Sequence, residues 1–166
     1  MMRWLIVVLA LAGCVTASLA RREHYRTEAS PCSINEKWDC GAVNKSRYAT
    51  IGGHFAKPGP PDASADKKNG LLAMIGDILV ADIGIAGYLL LGVLALLKRW
   101  RLLAAAAIPA FAFSLYLSFI EKYRLETWCI YCVISLCIIT LITLAAVIAL
   151  IMDLKKTRQT PVENAG

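Results

Sequence analysis

Six cysteines stand in this 166-residue chain, and four of them form two close pairs. One pair is Cys129-Ile130-Tyr131-Cys132; the other is Cys32 and Cys40, eight residues apart. A Cys-x-x-Cys spacing on a helix sets two sulfurs about one turn apart, close enough to interconvert between dithiol and disulfide. At a helix N-terminus the free N–H groups and the macrodipole favour a thiolate, the attacking species in disulfide exchange. A second pair on a flexible segment can open, close and reach a neighbouring sulfur. Together the pairs permit a relay, from a partner dithiol to Cys32/Cys40, then to Cys129/Cys132, then to an acceptor. Two blander readings compete. The four cysteines could be inert staples, or a Cys₄ zinc site. A thin loop and the lack of a second Cys-x-x-Cys argue against zinc, and no metal is expected. Cys14 and Cys137 lie inside apolar stretches, where an unpaired cysteine behaves as a small hydrophobe.

The elements that must position these sulfurs are membrane helices. Hydrophobic residues make up 58% of the chain and the mean hydropathy is +0.57. A soluble domain is about 45–50% apolar. The excess is gathered in blocks near the ~20 residues that a spanning helix needs. The pattern predicts an all-α, four-helix membrane bundle in one domain over 1–166, with helices near 3–20, 71–97, 102–120 and 128–152. An extracytoplasmic loop over 21–70, with a short helix near 42–50, would join the first two helices. Residues 57–68, rich in Pro, Gly and Asp, read as an irregular insertion. The net charge of +6 is spread between and beyond the blocks, so it suits headgroups and topology rather than nucleic acid.

The first block admits two readings. Arg3, the apolar run Leu5–Leu11 and the small residues Ala17-Ser18-Leu19-Ala20 resemble a cleaved signal, and Leu11-Ala12-Gly13-Cys14 resembles a lipoprotein site. The favoured reading is a retained helix with small packing residues.

Charge counting gives an N-in, C-in topology only when it is weighted toward span ends. Seven Lys/Arg fall inside and eleven outside, yet the turn Lys98-Arg99-Trp100-Arg101 is almost wholly basic. With four spans, the first loop and the link before the last helix face one compartment whatever the orientation. All four paired cysteines therefore share a side. Asp82 falls in the second block. It would either meet a ligand or sit in the headgroup region with Asp77, and the second reading is favoured. His24 and His54 are expected to be solvated. Asn44-Lys45-Ser46 is formally a glycosylation sequon.

Pro31-Cys32-Ser33-Ile34-Asn35, Asp39-Cys40, Val43-Asn44-Lys45-Ser46-Arg47-Tyr48, Ile85-Ala86-Gly87-Tyr88-Leu89-Leu90 and Trp128-Cys129-Ile130-Tyr131-Cys132 together resemble bacterial homologues of the vitamin K epoxide reductase family. The resemblance covers most of residues 30–150. It implies a four-helix bundle around a quinone, ubiquinone or menaquinone, with the loop capping the active site. It implies that Cys129 exchanges with the loop pair and Cys132 attacks the quinone. Cys40 would meet the soluble partner and Cys32 would pass electrons to Cys129. Ser46 matches a serine kept near the site, and Ser46 and Asp82 are the candidate quinone contacts. Many relatives carry a fused thioredoxin-like domain, which this chain lacks. The expected partner is therefore a separate thioredoxin-like, DsbA-like periplasmic protein. The expected setting is a bacterial inner membrane, with the site facing the periplasm and supporting disulfide formation. Residues 54–77 depart from the family pattern. Leu136 stands where the animal enzymes have a tyrosine linked to anticoagulant binding, which speaks against vitamin K epoxide as substrate. The rival from another class is a non-catalytic membrane scaffold with a stapled loop.

Overall fold

The computed structural model describes residues 2–28, 30–35, 37–52 and 78–159. Helix α1 runs Met2–Tyr25, and a short helix α2 runs Cys40–Asn44, followed by a 3₁₀ turn, Arg47–Ala49. Three long helices follow: α3, Val80–Leu96; α4, Trp100–Ile120; and α5, Ile130–Gln159. A π-helical turn, Glu121–Leu125, continues α4. Among the described residues three helices are long and apolar enough to cross a membrane: Met2–Tyr25, Trp100–Leu125 and Ile130–Thr157. Helix α3 is as apolar but has 17 residues, about 26 Å of helix against ~30 Å of hydrocarbon.

The helices pack through small residues. Ile6, Ala10, Gly13 and Ala17 make one buried stripe of α1, while Val8, Leu11 and Val15 point outward. A β-carbon on Gly84 would lie 3.5 Å from that of Ala17, and one on Gly92 would lie 3.5 Å from that of Ala10. Helices α1 and α3 thus meet nearly backbone to backbone, the packing lipid favours because burying apolar side chains gains little there. Helix α1 also packs along α5, and α5 along α4. Leu103, Ala107, Ile142 and Ala146 complete the interior. Outer faces stay apolar, with Leu89, Val93, Leu141 and Ile148 all exposed. Hydroxyls inside the helices satisfy themselves locally: Thr16 donates to the Ala12 carbonyl at 2.9 Å and Thr143 to that of Ile139 at 2.7 Å.

Three boundaries differ from the sequence reading. The second long helix was expected from 71; residues 71–77 lie outside the described residues, and the helix begins at Val80. Leu79 is extended because it pairs with Thr50, and the Ile51 N–H donates to the Ile78 carbonyl at 3.1 Å. The polar link over 121–127 is mostly helical, since the π turn carries α4 on to Leu125. Glu126 then adopts φ 54°, a left-handed turn that ends the helix. Trp128 precedes α5 instead of starting it. Its N–H donates to the Lys37 carbonyl at 2.8 Å, and its carbonyl accepts from Asp39 N–H at 3.1 Å. This parallel bridge ties the first loop to the start of α5. Cys14 faces α3, with Sγ 3.8 Å from the Ile85 carbonyl, and Cys137 is exposed on α5.

Candidate functional site

The two cysteine pairs meet where α1 ends and α5 begins. Cys32, Cys40, Val43 and Cys129 form one buried cluster, with Cys132, Tyr131 and Leu125 packed against it. The backbone bridge explains the meeting, because Cys40 follows Asp39 and Cys129 follows Trp128. The Trp38 and Trp128 rings lie 6.3 Å apart and cover the bridge. Asp39 caps α2, its carboxylate accepting from Ala42 N–H at 3.1 Å.

Cys32 and Cys40 form a disulfide with Cα atoms 5.8 Å apart. Cys129 and Cys132 are free thiols. The two sulfurs of the loop pair differ slightly in burial. Cys40 is wholly buried, whereas Cys32 keeps 7% of its surface exposed, with Sγ 3.2 Å from the Ser30 hydroxyl; both share the cluster with Cys129. Asn44 spans the two pairs. Its side-chain amide donates to the Cys40 carbonyl at 2.8 Å and to Cys129 Sγ at 3.4 Å. That amide is turned inward, so the sequon reading finds no exposed acceptor at Asn44.

The charge on Cys129 follows from these contacts. The hydrogen bond from Cys132 holds the Cys129 thiol below its ordinary pKa, aided by the Cys132 backbone and the Asn44 amide. Burial and the nearby Glu121 carboxylate oppose this but do not win.

Below the sulfurs lies a cavity of about 240 Å³. Cys132, Tyr131, Ser135, Tyr88, Ser46 and Glu121 contribute to its wall, and the remainder is largely apolar. The Tyr88 hydroxyl donates to the Ser135 carbonyl at 3.0 Å and lies 2.7 Å from the Ser135 hydroxyl. Its ring occupies the space above Gly13, where no side chain intrudes. Ser46 lines the cavity, and its hydroxyl donates to the Val43 carbonyl at 2.7 Å. Asp82 does not line it. It sits in the first turn of α3, 2.8 Å from Arg21, in a pair that is half open to the surroundings. His24 is not solvated as expected: it lines the cavity, and its Nδ1 lies 2.6 Å from the Asn44 carbonyl. Because a carbonyl only accepts, Nδ1 carries the proton. His54 and Asp77 lie outside the described residues.

Two functional residues escaped the sequence reading. Asn44 looked like a modification signal because its contact with Cys129 spans 85 positions. Glu121 looked like part of a polar link. It is 2% exposed, and its Oε2 accepts from Cys129 N–H at 3.1 Å. No cluster of potential metal ligands occurs among the described residues.

Apolar helices of spanning length and two converging cysteine pairs, one closed and one open, define a membrane thiol–disulfide redox protein. The profile of the vitamin K epoxide reductase family matches residues 4–148, and the chain belongs to that family. The comparison with curated proteins returns no match.

Proposed function

We propose that the protein is a quinone-coupled dithiol oxidase, a four-helix bundle whose first loop caps the acceptor site and exchanges electrons with a separate thioredoxin-like protein. One observation carries this reading. The buried loop disulfide, the Cys129/Cys132 pair and the apolar cavity follow one another in space.

The steps balance as follows. A partner dithiol reduces the Cys32–Cys40 disulfide through a mixed disulfide. The loop dithiol then reduces a Cys129–Cys132 disulfide. The Cys129/Cys132 dithiol gives two electrons and two protons to an acceptor in the cavity, and its own disulfide reforms. A bound quinone supplies two carbonyl oxygens that become hydroxyls. The cavity fits one substituted ring: its volume lies just below the ~300 Å³ at which drug-sized pockets begin, and a few polar groups converge on an apolar wall. An isoprenoid tail would leave between helices.

The slightly deeper burial of Cys40 supports one order within the loop. Cys40, wholly buried, exchanges with Cys129, and Cys32 takes electrons from the partner. Cys132, on the cavity wall, faces the quinone. Ser46 and the Tyr88–Ser135 hydroxyls are among the hydrogen-bonding groups on that wall, while Asp82 holds α3 to α1 through Arg21. Helix α1 is retained, because it supplies part of the cavity wall, including Ala17 and His24. The site faces the periplasm of a bacterial inner membrane, where a DsbA-like oxidant would be recharged.

The test is quinone reduction by purified protein in detergent, with a reduced thioredoxin-like protein and a short-chain quinone. Wild type should turn over, and Cys132→Ala should be inactive with its loop disulfide intact. A silent wild type, or turnover that survives Cys132→Ala, would sink the mechanism. A scaffold with a stapled loop would leave the quinone untouched.

A further inference from the structure

The carboxyl of Glu121 is buried at the junction of α4 and the π turn, 2% exposed. One oxygen accepts the Cys129 N–H at 3.1 Å, at the first residue of the Cys-x-x-Cys pair. Cys129 and Cys132 are the titratable groups that interact with it among the described residues. Neither ion pair recorded among those residues includes it. An acidic group buried without a cation is costly, and a neutral side chain would cap the Cys129 N–H at less cost. Glu121 also lines the same cavity as Cys132, Tyr131 and Ser135. It therefore holds the backbone of the reacting pair and shares the wall of the acceptor space with Cys132.

We propose that Glu121 is the proton carrier of the dithiol step: as Cys129 and Cys132 close into a disulfide, its carboxylate takes the Cys132 proton and passes it to the acceptor in the cavity. This rests on the reading of the cavity as the acceptor site. Two sulfurs lose two electrons and form one S–S bond. The Cys132 proton moves to Glu121 and then to an acceptor oxygen. The second proton comes from Cys129 or, when that sulfur starts as thiolate, from the water side through the loop. Glu121 ends as it began, and no further oxidant is needed. Positioned proton transfer contributes about 10²–10⁴ in rate.

Glu121→Gln keeps an oxygen for the Cys129 N–H but cannot carry a proton. Two measurements separate a carrier from a cap. The first needs no quinone: infrared difference spectra are taken as the reduced protein is oxidised by diamide. Wild type should show a carboxyl C=O band linked to disulfide formation, and Glu121→Gln should lack it. The second is single-turnover reduction of a short-chain quinone. Glu121→Gln should be slowed about 100-fold or more, while a small dithiol still reduces its loop disulfide at the wild-type rate. Should Glu121→Gln misfold, Glu121→Asp replaces it and should retain the band. A wild-type spectrum without the band, or a Glu121→Gln protein that reduces quinone at full speed, overturns the assignment. A wild type that shows the band yet never reduces quinone supports the carrier and overturns the quinone reading.

Discussion

Gly13→Ala provides a sharp test of how the cavity wall is held. A β-carbon at Gly13 would lie 2.5 Å from Tyr88 Cδ1 and Cε1 and 2.6 Å from Cζ. Carbon atoms at rest sit about 3.5–4.0 Å apart, so the overlap is ~1 Å. Helix α1 has little freedom to pivot, because Ala10 and Ala17 fix its approach to α3 on either side. The ring must move instead. Its hydroxyl lies 3.0 Å from the Ser135 carbonyl and 2.7 Å from the Ser135 hydroxyl, and a shift of ~1 Å breaks both contacts. Two lost hydrogen bonds at ~1 kcal/mol each, with ~1–2 kcal/mol of overpacking, give a cost of about 3–4 kcal/mol. Glycine to alanine inside a helix would otherwise gain ~0.5–1 kcal/mol, so the sign itself is diagnostic. The assay is thermal unfolding in detergent, done as a double-mutant cycle with Tyr88→Ala. Gly13→Ala should lower the midpoint by several degrees alone and leave it unchanged or raised beside Tyr88→Ala. An unchanged midpoint in the single variant, or a full cost in both backgrounds, would refute the reasoning.

Three further outcomes follow from the site. Asn44→Ala removes a hydrogen bond that lowers the Cys129 pKa, so the pKa should rise and the thiolate fraction near neutral pH should fall. Alkylation of Cys129 by iodoacetamide, followed against pH in a Cys132→Ala background for both proteins, should shift toward higher pH; an unmoved profile rules out this role. Cys32→Ser leaves Cys40 in the buried cluster with Cys129 and should trap a Cys40–Cys129 disulfide visible by mass mapping, while Cys40→Ser should not trap Cys32–Cys129 to the same extent. The reverse pattern would restore the order expected from the sequence. Asp82→Asn breaks a pair that is 38–50% exposed, so stability should change by no more than ~1 kcal/mol and quinone reduction by no more than about twofold. A large loss of turnover with intact stability would place Asp82 in the acceptor site after all.

The grouping of the paired cysteines was legible because its signals are local. A four-residue spacing, an apolar block behind it and a count of spans sufficed to put Cys129, Cys132, Cys32 and Cys40 on one side. The residues that tune them were not legible. Asn44 acts across 85 positions, and Glu121 acts through a π turn that no hydrophobic period announces. His24 looked solvated because nothing in its neighbourhood hints at the Asn44 carbonyl. The start of α3 was misjudged because apolar residues from 71 onward read as one block. Leu79, however, takes part in a backbone bridge to Thr50 that hydropathy does not register. The first block was readable as a helix with small packing residues, but not Tyr88 as the side chain that Gly13 admits.

The bridge between Trp38 and Trp128 also limits how this family member can diverge. Two backbone hydrogen bonds align Trp38 with Trp128, and Cys40 and Cys129 follow two and one residues later. Side chains alternate along extended backbone, so a slip of one residue would turn one sulfur away from the other. A single insertion or deletion between Leu125 and Cys129, or between Lys37 and Cys40, should disconnect the two pairs even with every cysteine present and every helix folded. Length changes there are thus a form of loss of function invisible to any inventory of reactive residues.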